Sequence, residues 1–282
     1  YYPLEFMVGV INNFGGFYNT ELYVHEARMA GAVIEAPCVN NSEYTTTIYG
    51  NTIYLGFIHL KDLEREVGES IVAERKRNGP YHSLEDFIAR TRIKKEQISI
   101  LIRINALRFT GKRKQELMWD KNRFQKSPTL VPGARPLFPY SQDDEEHFKL
   151  PPLEIDPFED AHDQIDLLGF PLVSPFSLIA TEVKGHIKAL EMGKMNGKTV
   201  KMVGYYICQK DLRTSDRRPM SFGTWIDEDG HFFDTTHFPP SLAHSPFLGK
   251  GCYLITGKIV EDFGFYSMEV EKMVKLKTKM DS

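Results

Sequence analysis

The spacing of apolar positions changes period once along the chain. From residue 53 to 126 it is helical, with Ile98, Leu101 and Ile102 on one face. Ser83 and Asp86, just ahead of Phe87 and Ile88, have the spacing of a capping box. Gly79-Pro80 and Thr110-Gly111 break this stretch into several short helices. Residues 1 to about 52 read as mixed helix and loop. Asn12-Asn13-Phe14-Gly15-Gly16 is a breaker cluster there, and Thr20 is placed to cap a helix that stops before Gly31. From about residue 198 the period falls to two. Val200, Met202 and Gly204-Tyr205 start a predicted strand, and others are predicted at Met220–Ile226, Phe232-Phe233, Cys252–Val260 and Phe265–Val270. Pro239-Pro240 opens a helix between the third and fourth strands.

Five strands with a helix at that place follow the order of an oligonucleotide/oligosaccharide-binding (OB) barrel. The expected fold is therefore a multidomain α+β chain, an all-helical region followed by a five-stranded all-β barrel. Between the two, nine of the 16 prolines fall from Pro128 to Pro175 beside the acidic run Asp143 to Glu146, which reads as a connecting segment. The predicted divisions are 1–52, 53–126, 127–182 and 183–282.

Charge refines this division. The net charge of −3 hides a basic block, Lys61 to Lys126 with 17 basic and 10 acidic residues, beside an acidic one. From Leu137 to Asp166 there are 10 acidic residues against Lys149 alone. The basic block is the expected polyanion partner, because phosphate neutralisation supplies most non-specific affinity for nucleic acid. Within it Gly111-Lys112-Arg113-Lys114 opens a helix, where three cations oppose the dipole at about 0.3–1 kcal/mol each when exposed. A bound phosphate would reverse that sign; an exposed basic turn tolerating the penalty is the alternative.

In the barrel, Lys210, Arg213, Arg217 and Arg218 fall in the first inter-strand loop, which such barrels use to grip nucleic acid. Tyr205, Tyr206, Phe222 and Trp225 lie on the flanking strands, where they stack bases or fill the barrel. No stretch is long and apolar enough to span a membrane. Cys38, Cys208 and Cys252 share no metal-type spacing, and a reducing cytoplasm is the expected setting. Asp227-Glu228-Asp229-Gly230 begins like a calcium loop, but Phe238 stands where a bidentate Glu is needed, so a hairpin turn explains it better. No catalytic constellation, metal set or cofactor loop is apparent. The chain starts without Met in mid-pattern, as a piece of a longer protein would.

Read in order, the segments resemble the alpha subunit of bacterial DNA polymerase III, a C-family replicative polymerase, over essentially the whole chain. The resemblance rests on Tyr2-Pro3-Leu4-Glu5-Phe6-Met7, on His25 to Gly31 with Ala36 to Asn40, and on Tyr54 to Lys61. It continues through Gly79-Pro80-Tyr81 with Ser83-Leu84 and Asp86-Phe87, through Leu167 to Leu172, and through Arg213-Thr214 with Pro219-Met220 and Asp227 to Gly230. It implies the end of a fingers domain, a helix-hairpin-helix region, a linker and an OB domain. DNA contacts are then expected at Lys61, Arg108, Gly111, Lys112, Arg113 and Lys114, and at the barrel residues Tyr205, Phe222 and Trp225 with the four loop cations. The first hairpin departs from the family: Lys61-Asp62-Leu63-Glu64 has lost its two glycines and gained two carboxylates, which repel a phosphate.

The resemblance also implies a clamp-binding peptide, for which Leu137-Phe138 and Gln164 with Leu167-Leu168 are the two candidates. Implied partners are duplex and single-stranded DNA, the sliding clamp (beta subunit) and other replicase subunits. The magnesium-dependent polymerase site belongs to a palm domain absent here, so this piece is expected to be non-catalytic. The same region of an error-prone paralogue, or a tRNA-handling OB-fold protein, are the alternative readings.

Overall fold

The computed structural model describes residues 2–16, 18–124 and 158–279, in two compact units that divide between Leu172 and Val173.

The first unit begins with two helices, α1 (Pro3–Asn12) and α2 (Thr20–Met29). Asn19 rather than Thr20 caps α2, its side chain accepting from Leu22 N–H. A small sheet follows that the sequence did not announce. Its strands β1 (Val33–Glu35), β2 (Thr47–Tyr49) and β3 (Thr52–Tyr54) lie in the order β1-β3-β2 and straddle the expected boundary at residue 52. The helical region comprises α3 (Arg65–Asn78), α4 (Leu84–Thr91), α5 (Lys95–Arg103) and α6 (Lys114–Phe124). Half of the box expected at α4 forms: Ser83 Oγ caps the helix by accepting from Asp86 N–H, but the Asp86 carboxylate accepts from His82 N–H, one residue ahead of the cap, instead of from Ser83 N–H. Phe87, Ile98, Leu101, Ile102 and Leu117 bury together in one core.

A seventh helix, α7 (Glu159–Leu168), lies in the stretch read as linker. It belongs to the first unit, because its apolar stripe finds a partner there: Leu167 is buried in the same core, and Leu168 packs against it. Gly169 ends α7 with φ +87°, and Arg28 holds the following turn through the Leu172 carbonyl.

The second unit is a closed barrel of β4 (Thr199–Arg213), β5 (Pro219–Ile226), β6 (Phe232–His237), β7 (Cys252–Asp262) and β8 (Phe265–Lys275). The strand order is β4-β5-β6-β8-β7, with β6 and β8 parallel and α8 (Pro239–His244) between β6 and β7. This is the OB arrangement that the strand pattern predicted. Lys210 and Arg213, expected in the first inter-strand loop, belong to β4 itself, so that β4 and β5 form a two-stranded arm reaching Arg213 and Pro219 and only Arg217 and Arg218 stay in the turn.

Two histidines are withdrawn from water, His59 in part and His237 completely. His59 holds Thr46 Oγ1 at 2.9 Å, and His237, fully buried, holds Thr235 Oγ1 at the same distance. Burial pushes both rings down to about 4, so they stay neutral in the folded chain. The unfolded chain then binds more protons as pH falls below about 6.5, and stability is lost from there until about pH 4. Each ring contributes up to about 3 kcal/mol of that loss. Urea midpoints between pH 7.5 and 4.5 should fall in wild type and flatten in His237→Gln; identical slopes would remove His237 from this account.

Candidate nucleic-acid interface

The two hairpins of the helical region use their polar groups internally. At the first, α7 occupies the Lys61 N–H through the Leu167 carbonyl at 2.8 Å. The buried Gln97 amide ties the rest, accepting from Glu64 N–H and donating to the Asp62 carbonyl. Asp62 holds the left-handed conformation, φ +63°, where glycine would be unstrained, and Asp is among the few side chains that tolerate it. The Lys61 side chain is exposed.

The second hairpin corrects several expectations. Glu116 folds back so that its carboxylate accepts from Arg113 N–H at 2.8 Å, putting a negative group on the helix terminus where a phosphate was expected. Lys112 pairs with Asp120 at 2.6 Å. Lys114 is buried and holds Asp160 and Asp163 of α7 at 2.6 and 2.8 Å, so it joins two helices instead of meeting DNA. Arg103 completes the joint, with Asp163 at 2.6 Å and Asp166 at 2.8 Å. Arg108 is likewise structural: it donates to the carbonyls of Ala36, Pro37 and Asn105 and to Glu35. Gly111, φ +68°, supplies the left-handed turn ahead of α6. Of the expected contacts here, the Lys61 and Arg113 side chains are exposed, and Lys112 is exposed beside its carboxylate. Part of the acidic block thus answers part of the basic one within the chain.

The barrel sorts its aromatics by strand phase. Trp225 is fully buried, stacked on Phe247 and edge-on to Tyr206 and Tyr253, with Nε1 donating to Thr235 Oγ1 at 2.7 Å. Gly204 and Gly223 make room for it: a Cβ on Gly204 would stand 3.0 Å from Trp225 Cβ, and one on Gly223 2.8 Å from its Nε1. Trp225 is therefore core and not a base platform, and Tyr205 is buried as well. Phe222 faces outward, 40% exposed, and pairs across the ladder with Lys210 and Thr236.

At the end of the β4–β5 arm stand Arg213, Arg217 and Arg218, all exposed; Arg218 is shared with Asp216 at 2.6 Å, and Arg217 takes a left-handed turn position. The opposite loop carries residues the sequence reading passed over. Phe263 and Phe265 at the β7–β8 tip are 96% and 80% exposed, with Tyr266 beside them. Two large aromatics flanking Gly264 where one predicted strand gives way to the next were the signal to read, since a barrel has little room at a turn to bury them.

Of the two clamp-peptide candidates, Leu137-Phe138 lies outside the described residues. In the other, Leu167 is core, and Gln164 accepts from Leu172 N–H at 2.7 Å, so that stretch is committed to holding α7 in place. Among the described residues no cluster of three His, Cys, Asp or Glu is placed to hold a metal, and no helix is long and apolar enough to cross a membrane.

Comparison with known proteins places this geometry. A helix-hairpin-helix motif model matches residues 31–117. An error-prone DNA polymerase of Mycobacterium bovis is 35% identical over 106 residues, covering 37% of this chain and 10% of that one. DNA polymerase III subunit alpha of Thermus aquaticus is 29% identical over 117 residues, 40% of this chain and 10% of its own. The Aquifex aeolicus subunit is 31% identical over 125 residues, 42% and 10% respectively. The chain thus spans about a tenth of the length of the curated relatives it matches. Among solved structures, the second OB-fold domain of replication protein A from Methanococcus maripaludis covers 30% of this chain and 90% of its own, at 11% identity and a TM-score of 0.24. A likeness of that size carries no argument, and the barrel rests on its own strand order. Through its helix-hairpin-helix region, which an OB barrel follows, this chain is similar to the family of bacterial DNA polymerase III alpha subunits and error-prone DNA polymerases.

Proposed function

We propose that this chain is a DNA-handling portion of a polymerase of that family, in which the barrel grips single-stranded template and the helical region adds weak contacts to duplex. The observation that carries the reading is the β4–β5 arm, where exposed Phe222 and Lys210 stand side by side below Arg213, Arg217 and Arg218. An aromatic that stacks any base next to cations that meet the backbone is the combination sequence-tolerant single-strand binding requires. From Lys198 to Ser282 the barrel has 12 basic and 11 acidic residues, so affinity is modest, salt-sensitive and useful where other contacts already hold the template nearby. Duplex contact falls to Lys61 and Arg113.

On this reading, polymerisation and its magnesium chemistry belong to a palm domain of the parent polypeptide in the cytoplasm. Clamp docking falls to Leu137-Phe138, because Leu167 is occupied in the core. Replacing both Leu137 and Phe138 by Ala should abolish binding of the chain to a sliding clamp; undiminished binding would reject the assignment.

Fluorescence anisotropy of the 282-residue chain with labelled single strands and duplexes of equal length tests the main reading. Single strands should bind more tightly, and changing Arg213, Arg217 and Arg218 together to Ala should weaken them. The same change should flatten the salt dependence, by about 0.7 in slope for each phosphate the chain no longer neutralises. Equal affinity for both forms, or no effect of the triple change, would make the barrel a protein-docking module instead.

A further inference from the structure

The arm's inner side and α8 border an open cleft of about 530 Å³ whose use the fold alone does not explain. Its volume lies in the range of about 300–1,000 Å³ typical of small-ligand sites. Its lining is of two kinds. Gln209, Asp211 and Arg213, at every second position of β4, supply polar groups, with Ser221 opposite on β5. Leu242, Pro246 and Phe247 close the apolar side. Phe247 is half-buried and stacked on Trp225, 5.7 Å between centroids at 15°, so the core's aromatic stack reaches the cleft at this ring.

Asp211 is held in a defined orientation. The buried Ser221 hydroxyl donates to its Oδ1 at 2.5 Å, and the Gln209 amide bridges both carboxylate oxygens at 3.1 and 3.2 Å. Ser221 is fixed by the sheet, whereas Gln209 is exposed at the rim and its amide is the partner a ligand displaces. What replaces it best is another pair of N–H donors side by side in one plane. Among the natural bases only guanine presents two adjacent N–H donors on its Watson–Crick edge, at N1 and N2. Unstacked bases are read in this way, by hydrogen bonds to that edge and contact with an aromatic ring.

We propose that this cleft receives one unstacked guanine of a single strand, with Asp211 accepting from N1–H and N2–H, Phe247 against the base and Arg213 at the adjoining phosphate. The inference rests on the single-strand reading of the barrel and adds base preference to it. The outer face of the arm meets the strand without regard to sequence, while the inner face selects.

The test uses the full chain and three labelled 12-mers: all-thymidine, the same strand with one central guanine, and one with inosine there, which keeps N1–H and lacks the N2 amino group. The guanine strand should bind at least about fivefold more tightly than all-thymidine, the low end of what a bidentate base contact discriminates. Inosine should fall between them. Asp211→Asn retains an acceptor for Ser221 but presents a donor to the base, and should bring the guanine-to-thymidine ratio to one. Equal, measurable affinities for all three strands overturn this inference and leave the single-strand reading standing. A guanine preference that survives Asp211→Asn overturns it too. Absence of binding to any strand overturns both.

Discussion

Trp225→Ala is expected to cost the barrel about 3–5 kcal/mol, the loss typical of a fully buried tryptophan cut back to alanine. The ring fills the space left by Gly204 and Gly223 and touches Phe247, Tyr206 and Tyr253, so few neighbours are free to collapse into the void. Thr235 also loses the indole N–H that its hydroxyl accepts, while keeping its contacts with His237 Nε2 and the Gly223 carbonyl. Domains of this size hold about 5–15 kcal/mol in total, and each kilocalorie moves the melting point by about 4–8 °C. A drop in Tm of about 15–30 °C should follow for the barrel transition in calorimetry, with single-strand binding disappearing only as the barrel unfolds. Phe222→Ala separates the two roles that an aromatic can have here. It should leave the melt within about 3 °C, since exposed substitutions rarely exceed about 0.5 kcal/mol. It should weaken single-strand binding by about 1–3 kcal/mol, the worth of one stacked base. A Trp225→Ala chain that melts like wild type but no longer binds would put the indole back on the surface.

Asp163→Ala should be among the most damaging changes at a charged residue in the helical unit. Its carboxylate is close to Lys114 and Arg103 together, and both it and the Lys114 ammonium are nearly excluded from water. Removing one member of a buried pair leaves an uncompensated charge and typically costs about 3–5 kcal/mol. Asp160 and Asp166 remain as partners but are 58% and 65% exposed, where water weakens what they offer. Urea unfolding of the variant should show the loss, and the pair Lys114→Met with Asp163→Leu should recover most of it by replacing charges with apolar volume. A loss below about 1 kcal/mol would class the joint with ordinary surface bridges. This expectation also governs how DNA-binding variants are read: a change at Lys114 reports on the attachment of α7, whereas Arg113→Ala reports on an exposed cation.

The periodicity of the barrel was legible because each strand alternates against a single interior, and the helix between the third and fourth strands has its own proline start. The phase of that alternation was not. A period of two distinguishes faces without saying which is inside, and the bulge between Tyr206 and Cys208 shifts the register across β4, so that Tyr206 joins the core while Lys210 stands beside exposed Phe222. The three-residue strands of the first unit are too short to show any period. The basic turn at Lys112 to Lys114 was correctly seen as a helix start with an electrostatic problem. Its solution lay out of view: Glu116 is local, but Asp160 and Asp163 reach Lys114 from more than forty residues away, and no local rule pairs charges at that distance. Arg108 was misread for the same reason, since its backbone partners at Ala36 and Pro37 leave no trace in side-chain pattern.

The barrel's closure depends on its last strand. β8 pairs antiparallel with β7 along nearly its whole length and parallel with β6 over Asp234 to Thr236, joining the two ends of the sheet. Until that strand has emerged during synthesis, β6 and β7 each present an open edge, and such edges pair readily with other chains. The Trp225 cluster is exposed to water over the same interval, since Met268 and Val270 of β8 belong to the core that covers it. Closure of this unit therefore has to wait for β8, and a chain cut before Phe265 should expose an aggregation-prone sheet in place of a smaller stable barrel.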